Sequence, residues 1–269
     1  MPLAFHTDHR AMFEQQFLNA REHIVPFVRS HVKLKGARVL DVGTGDGGVM
    51  KALVEAGATG LGVDLSPSRI EFAKEALEQE CDAGVLEFVA GDIHDPVVTS
   101  GWEGSFDLIV LKDAIEHIHE KAALLRKLAS FLKSSGYIFV GFPPWRMPFG
   151  GHQQITRSRF GRIPYYHLLP RSAYHRVLRL LGEPDQTIEE LLEIRDTRIS
   201  ISDFEDLVRR CDFGVAKRHL YLVNPIYRYK FGLRPRRQMR LFEASPGFRD
   251  FVTTTCYYLI QPFSGYSNE

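Results

Sequence analysis

The residues best suited to bind a ligand lie in one glycine-rich stretch, residues 38–48, which reads RVLDVGTGDGG. An apolar run at 39–42 precedes the glycines, and a helix-like segment at 49–56 follows them. A strand that ends in glycines and leads into a helix lets the backbone approach a ligand closely, and it leaves unpaired N–H groups at the start of the helix. An acid before the first glycine suits a cationic ligand group better than a pyrophosphate. The acid and the alternate glycines are Asp41, Gly43, Gly45 and Gly47.

Three further acids stand at or just after the ends of apolar runs downstream: Asp64, Asp92 and Asp113. In a sheet of parallel strands, the carboxyl ends of the strands meet at one edge. We therefore expect these acids and Asp41 to face one crevice. Carboxylates around a crevice favour a cationic ligand electrostatically.

An alternation of strands and helices is expected to position these acids. Five apolar runs have the length of strands: residues 39–42, 60–64, 86–90, 106–111 and 137–142. Ser66 as N-cap and Pro67 at the first helical position begin one intervening helix, which is predicted to run to about residue 80. Another is predicted at 119–132 and is ended by residues 134–136. This alternation predicts a parallel sheet with right-handed crossovers.

Two flanking regions are expected to complete the fold. Residues 1–35 carry apolar residues at spacings of three and four, which predicts a helical cap. Beyond the fifth strand, a helix is predicted at 202–211 and strands at 213–223 and 251–260.

Composition narrows the classes of function. The chain has 269 residues and a formal net charge of +1, which gives no global reason to expect nucleic-acid binding. Its cysteines, Cys81, Cys211 and Cys256, stand far apart, which argues against a disulfide framework or a zinc knuckle and fits a reducing compartment. No apolar run approaches the roughly 20 residues needed to span a bilayer, and the first residues lack the apolar core of a signal peptide. We therefore expect a cytoplasmic protein without a membrane span.

The order of these motifs resembles that of a class I S-adenosylmethionine-dependent methyltransferase. The similarity covers roughly residues 36–143, and its strand order continues to about residue 262. The resemblance implies an α/β fold with a Rossmann-like, seven-stranded, mostly parallel sheet whose last strand is antiparallel. The matching parts are Asp41 with its glycines, Asp64, Gly91-Asp92, Phe106-Asp107-Leu108-Ile109 and Ser135-Gly136-Tyr137.

The resemblance also implies how the chain is divided. One domain is expected over residues 1–269. Its parts are a helical cap (1–35), a cofactor-binding core (36–143), a lid insertion (144–200) and the C-terminal part of the sheet (201–269), which contains a basic insertion (224–249).

The resemblance assigns roles toward S-adenosylmethionine as the cofactor. The three glycines lie under its methionine portion, and Asp41 holds its amino group or the glycine turn. Asp64 accepts hydrogen bonds from the ribose hydroxyls, and Asp92 faces the adenine amino group. The sulfonium and ammonium charges of the cofactor agree with a crevice lined by carboxylates. Three neighbours complete the predicted cofactor site: Leu65, Ile93 and Lys112.

A nicotinamide-dependent dehydrogenase is the alternative that shares the glycines and Asp64. It leaves Asp41 and Gly91-Asp92 unexplained, and no Tyr-x-x-x-Lys pair follows at helical spacing. The residues Pro143-Pro144-Trp145 are similar to the Asn/Asp-Pro-Pro-Tyr motif of amino-methyltransferases, but they follow the fifth strand instead of the fourth. Neither alternative is therefore favoured.

An alcohol or phenol acceptor can need a base, and the segment 112–119 after the fourth strand is the expected place for one. His117 is the predicted catalytic base, because an imidazole titrates near neutral pH. A histidine that only packs or holds the loop is the alternative. Glu116 and His119 are predicted to be solvated residues at the start of a helix, and Asp113 is predicted to order the loop.

The segment 144–200 lacks strand periodicity and is predicted to form a lid that determines the substrate. Its aromatic residues with polar tips could line a pocket for a planar or partly apolar acceptor, or could only attach the lid to the sheet. His152 and His167 lack the spacing of metal ligands, so no metal site is predicted. The residues assigned to substrate binding are Trp145, His152, Tyr165 and Tyr166.

A second segment, residues 224–249, is strongly basic, with Glu243 as its single acid. This excess suggests an anionic partner, such as a carboxylate or phosphate on the substrate, RNA or a membrane surface. A solvated loop balanced by acids elsewhere is the alternative. The basic residues are Arg228, Lys230, Arg234, Arg236, Arg237, Arg240 and Arg249.

These observations predict an enzyme that methylates a small molecule, with oxygen preferred as acceptor atom because His117 is available. An RNA methyltransferase that uses residues 224–249 is the alternative, although no RNA-binding module is recognisable. A non-catalytic cofactor-binding protein is disfavoured by the intact acidic crevice. The sequence reports neither the oligomeric state nor the identity of the acceptor.

Overall fold

The computed structural model describes residues 8–158 and 163–263. A single sheet crosses these residues. Its strands are β1 (Arg38–Val42), β2 (Thr59–Asp64), β3 (Leu86–Ala90), β4 (Phe106–Lys112), β5 (Leu132–Phe142), β6 (Phe213–Val223), β7 (Arg236–Arg237) and β8 (Thr255–Pro262). Their order across the sheet is β3-β2-β1-β4-β5-β8-β6-β7. Strands β1 to β5 pair in parallel, and β8 lies antiparallel between β5 and β6.

Helices connect and cover the strands. A π-helical turn, Ala20–Ile24, joins the first two helices, and a 3₁₀ turn, Ile115–His117, follows β4. Two more 3₁₀ turns, Gln153–Ile155 and Tyr166–Leu168, lie after β5. The α-helices are α1 (His9–Asn19), α2 (Val25–Val28), α3 (Gly48–Glu55), α4 (Pro67–Ala76), α5 (Glu78–Asp82), α6 (Lys121–Phe131), α7 (Arg171–Leu180), α8 (Asp185–Asp196), α9 (Ile201–Arg210), α10 (Tyr227–Phe231), α11 (Arg240–Glu243) and α12 (Pro246–Val252).

The parallel sheet and its antiparallel last strand confirm the predicted fold class, with three corrections. The described residues form eight strands rather than seven, because Arg236–Arg237 pairs with β6. Strand β5 begins at Leu132 rather than at 137, since α6 ends at Phe131 and the backbone of Leu132 is already extended. Strand β8 begins at Thr255 rather than at 251, because α12 runs up to Val252.

Two apolar layers cover the faces of the sheet. Alternate residues of β4 point to opposite faces, as in any strand. Ile109 and Leu111 join the layer that contains α6 and α9, whereas Leu108 and Val110 join the layer that contains α2 and α3. All four side chains are fully buried, which explains why residues 108–111 form an unbroken apolar run.

The N-terminal helix α1 lies directly on the glycine-rich loop. A Cβ at Gly48 would overlap the backbone carbonyl of Phe13, so this glycine permits the close approach of α1 to α3. His9 Nδ1 lies 2.7 Å from Asp46 Oδ1, inside the loop. The predicted helical cap therefore supports the loop. No helix within residues 8–158 and 163–263 is both long enough and apolar enough to cross a membrane.

Candidate active site

The glycine loop is fixed from two sides. The backbone N–H groups of Gly43 and Thr44 both donate to the carbonyl of Val63, at 2.8 and 3.1 Å, which ties the loop to the end of β2. Thr44 Oγ1 donates to Asp41 Oδ2 at 2.8 Å. Gly43 has a φ of +74°, a value that glycine adopts without strain. Asp41 is 1% exposed, so it holds the turn from beneath and does not face the crevice.

Burial also changes the protonation of Asp41. Desolvation raises the pKa of this carboxyl to about 7, and the charge of Asp64 contributes in the same direction. The hydrogen bond from Thr44 opposes the shift. Asp41 is therefore a support for the loop whose charge is partly lost near neutral pH.

Asp64 occupies the end of β2 with both carboxylate oxygens oriented by the backbone. Oδ2 accepts from the N–H of Gly45 at 2.8 Å, and Oδ1 accepts from the N–H of Ser66 at 2.9 Å. An ionised carboxylate has about four acceptor positions, so two remain for hydroxyl groups of a ligand. The side chain is thus pre-oriented to accept from a vicinal diol.

A cavity of about 470 Å³ lies outside the ends of β1 to β4, and we call it the strand-end cavity. Its volume is within the range of small-molecule sites. Arg69 and His94 also lie in its wall but were not predicted. The predicted residues in its wall are Gly43, Asp64, Leu65, Asp92, Ile93 and His117.

The remaining predicted cofactor residues lie behind this wall. Gly45 and Gly47 belong to the loop itself, and a Cβ at Gly45 would overlap the guanidinium of Arg69. Lys112 is 9% exposed and forms an ion pair with Asp113, so the structure does not bring it to the cavity. Arg69 could have been anticipated from its place in the first turn of α4, directly after the β2 end.

A second cavity of about 530 Å³, which we call the lid cavity, shares Asp113 in its wall with the strand-end cavity. Asp113 lines both cavities and has a φ of +54°, an uncommon conformation for a residue with a side chain. Apolar walls of the lid cavity come from the segment after β5 and from α10 and include Met147, Phe149, Tyr227 and Phe231. Its polar wall residues include Glu116, His152 and Lys230.

The 3₁₀ turn after β4 places neighbouring side chains in different cavities. Glu116 lines the lid cavity, whereas His117 lines the strand-end cavity. Glu116 is 4% exposed, so the prediction that it is solvated was wrong, and burial raises its pKa to about 8. Desolvation lowers the pKa of His117 below its usual 6.5, which leaves the imidazole neutral near pH 7. The ring of His152 lies 5.2 Å from that of His117, measured between centroids.

Of the four predicted substrate residues, only His152 lines either of these two cavities. Trp145 is 8% exposed and its ring packs edge-on against His167 at a centroid distance of 4.7 Å. The hydroxyl of Tyr165 donates to the carbonyl of Phe251 at 3.1 Å. Tyr166 packs on a tyrosine of α7, and burial raises its pKa to about 12. Tyr165 thus attaches the lid to α12, whereas Trp145 and Tyr166 pack within the lid.

His167 is fully buried within the lid. Its Nε2 donates to the carbonyl of Trp145 at 2.8 Å, since a carbonyl can only accept. Its Nδ1 lies 3.1 Å from the side-chain nitrogen of Gln153, which donates to it. Burial lowers the pKa of His167 to about 4, so the lid contains a neutral histidine near pH 7.

Acids elsewhere in the fold balance part of the basic segment. Arg228 pairs with Glu22 at 2.8 Å, and the buried Arg249 pairs with Glu205 at 2.6 Å. Lys230 faces the lid cavity. Arg228 is exposed, and the other exposed basic residues of the segment are Arg234, Arg236, Arg237 and Arg240.

Comparison with known proteins agrees with this geometry. Residues 33–146 match a family model described as a methyltransferase domain. A ubiquinone biosynthesis O-methyltransferase from Xanthomonas campestris pv. campestris is 32% identical over 115 residues, which are 42% of this chain and 46% of that protein. The match thus spans about half the length of such curated relatives.

Solved structures share the fold over most of the chain. A magnesium protoporphyrin IX methyltransferase from Synechocystis PCC 6803 with bound SAH has a TM-score of 0.53 at 16% identity, covering 93% of this chain and 84% of that chain. A geranyl diphosphate methyltransferase in complex with SAM has a TM-score of 0.57 at 14% identity, covering 90% of this chain and 83% of that chain. Residues 33–146 therefore match a methyltransferase domain, and the chain shares the fold of these solved methyltransferase structures.

Proposed function

We propose that the protein transfers the methyl group of S-adenosylmethionine to an oxygen atom of a small molecule. The observation that carries this proposal is that two cavities, one at the strand ends and one under the lid, share Asp113 in their walls. Such an arrangement provides one site for the cofactor and an adjoining site for the acceptor. The curated relatives, named as O-methyltransferases, support oxygen as the acceptor atom.

In this proposal the cofactor occupies the strand-end cavity. The ribose hydroxyls donate to Asp64, which the backbone has already oriented, and the adenine lies beside Asp92 and Ile93. The methionine portion lies over the glycine loop, whose shape Asp41 maintains through Thr44. Asp64 and Asp92 give the cavity a negative charge that favours the sulfonium.

The chemical step is an in-line displacement at the methyl carbon. An oxygen lone pair of the acceptor forms the new C–O bond, and the C–S bond breaks with its electron pair remaining on sulfur. The sulfonium thereby becomes the neutral thioether of S-adenosylhomocysteine, and the hydroxyl proton leaves the acceptor. Much of the rate comes from holding the acceptor oxygen against the methyl group.

His117 is retained as the residue that activates the acceptor, because it lines the strand-end cavity and its ring lies 5.2 Å from that of His152 in the wall of the lid cavity. Its lowered pKa leaves a lone pair on the neutral imidazole near pH 7. That lone pair can take the hydroxyl proton directly. The same lone pair can instead bind a metal cation, which lowers the pKa of the acceptor hydroxyl.

The walls of the lid cavity indicate the kind of acceptor. Phe149, Tyr227 and Phe231 provide apolar and aromatic surface, and Lys230 provides a positive charge in the same cavity. A partly apolar molecule that carries a hydroxyl and an anionic group would be complementary to these walls. His152 is retained as an acceptor contact.

The test is a methylation assay with S-adenosylmethionine labelled in its methyl group and a panel of phenols, hydroxy acids, amines and total tRNA. We expect the label on oxygen of a hydroxylated aromatic compound, together with an equal amount of S-adenosylhomocysteine. Absence of cofactor binding by calorimetry would refute the proposal, as would label found on nitrogen or on RNA. The tRNA arm tests whether the four exposed arginines of residues 234–240 bind nucleic acid.

A further inference from the structure

We propose that Glu116, His117 and His152 bind a divalent first-row transition-metal ion where the strand-end and lid cavities meet. Each residue offers one ligand atom, and the three atoms lie within 4.8 Å of one another. Around a bound ion with metal–ligand distances near 2.1 Å, such atoms are about 3–3.5 Å apart. Side-chain rotations can close that difference without moving the backbone.

Glu116 is the strongest single indication of a ligand at this place. Its side chain is 4% exposed, and neither carboxylate oxygen has a hydrogen-bond partner in residues 8–158 and 163–263. A buried carboxylate without a partner is costly, and a bound cation removes that cost. Glu116 lines the lid cavity, and one of its carboxylate oxygens lies within 4.8 Å of a ring nitrogen of each histidine.

The nearest lysines are engaged elsewhere and do not neutralise Glu116 through a hydrogen bond. Lys121 donates to the backbone carbonyls of Ile118 and Thr197. Lys112 forms its ion pair with Asp113. The carboxylate of Glu116 therefore lacks the direct lysine contact that a buried acid usually has.

The two histidines reach the site from different parts of the chain. His117 belongs to the turn after β4, and His152 precedes the 3₁₀ turn Gln153–Ile155 in the lid. His152 has a φ of +53°, a backbone conformation that is uncommon outside glycine and frequent at functional sites. An ion held by both residues would connect the lid to the sheet.

The donor set indicates the kind of ion. Two imidazole nitrogens and one carboxylate suit Zn²⁺, Mn²⁺, Fe²⁺ or Co²⁺, whereas Mg²⁺ and Ca²⁺ prefer oxygen ligands throughout. Three protein ligands leave coordination positions open for an acceptor oxygen. Resting on the proposed function, this inference gives the ion a role: it holds the acceptor hydroxyl and lowers its pKa. His117 then activates the acceptor through the ion.

The test measures binding of Co²⁺ to tag-free protein that has been treated with a chelator and dialysed. Co²⁺ is used alone because its visible absorption reports the ligands. We expect one ion per chain, and at least hundredfold weaker binding to Glu116→Gln and His152→Ala. His119→Ala is the matched control, since this exposed histidine lies near the same turn outside the triad, and it should bind Co²⁺ like the parent.

S-adenosylmethionine affinity and melting temperature are measured on the same samples to show that each variant is folded. Absence of a Co²⁺ complex in the parent, or Co²⁺ binding unchanged in Glu116→Gln and His152→Ala, would overturn the inference. If cofactor binding and methyl transfer persist in that case, the proposed function stands without the metal. If the parent binds Co²⁺ but not S-adenosylmethionine, the proposed function fails and the metal site stands.

Discussion

Replacing Asp64 by alanine tests the cofactor site most selectively. In the folded chain the Asp64 carboxylate accepts from two backbone N–H groups and keeps two acceptor positions for the ribose. Removing it deletes charge-assisted hydrogen bonds to the diol and also frees the Gly45 N–H that shapes the loop. Hydrogen bonds to charged groups contribute about 1.5–3 kcal/mol each, and the ribose bonds are partly replaced by water. We therefore expect S-adenosylmethionine affinity to fall by about 1–3 kcal/mol, or about 5- to 150-fold.

Isothermal titration calorimetry of S-adenosylmethionine measures this loss. Asp64→Asn keeps one carbonyl acceptor and should lose less affinity than Asp64→Ala. Asp107→Ala is the matched control, because Asp107 accepts from the backbone N–H of Arg38 at 2.8 Å at the opposite ends of the strands. It should reduce the free energy of unfolding and leave cofactor affinity unchanged. Equal affinities for Asp64→Ala and the parent would refute the assignment of Asp64.

Three further predictions concern activation, acid stability and architecture. In His117→Ala, turnover measured by steady-state kinetics should fall about a hundredfold or more, while cofactor affinity measured by calorimetry should stay within about threefold of the parent. An equal loss of turnover and cofactor affinity would indicate a structural role for His117. Burial lowers the pKa of His167 from 6.5 to about 4, so between pH 6.5 and pH 4 the unfolded chain binds more protons than the folded chain. The free energy of unfolding should therefore decrease by about 3 kcal/mol as the pH falls from 6.5 to 4. Denaturant titrations of His167→Gln should show no such pH-dependent decrease in the free energy of unfolding, whereas His94→Gln should show it as the parent does. The same pH dependence in the parent and both variants would contradict the assignment to His167. Limited proteolysis should not release residues 144–200 or 224–249 as folded fragments, and an independently folded fragment would show that the chain is not one domain.

The cofactor half of the fold could be predicted from the sequence for a physical reason. Parallel strands buried on both faces appear as continuous apolar runs, and ligand-binding acids follow them directly. Asp64 and Asp92 were located in this way, and both lie in the wall of the strand-end cavity. Lys112 was assigned from its neighbourhood alone, and its side chain pairs with Asp113 instead.

The lid could not be predicted to the same extent. Helices α7 and α8 were missed within residues 144–200, although Tyr174 and Leu178 lie one helical turn apart and pack with Ile188 of α8. Aromatic residues in that segment indicated a pocket but could not show whether they face it or attach the lid. Trp145 packs against His167 within the lid, and no pattern in the sequence distinguishes that role from substrate contact.

Glu116 shows why distant contacts limit such predictions. A glutamate beside a histidine at a helix start is usually solvated, whereas Glu116 is buried here in a wall that it shares with the segment after β5 and with α10. The proposed metal ligands likewise come from two separate segments, so no ligand spacing is visible in the sequence. Such sites depend on how the lid folds back over the sheet.

A crystal structure of the protein with S-adenosylhomocysteine tests the central claim most directly. We predict the ribose hydroxyls on the carboxylate of Asp64, the adenine beside Asp92, and the sulfur facing the lid cavity past Asp113. Density for the ligand outside the strand-end cavity, or a sulfur atom turned away from the lid cavity, would contradict the account.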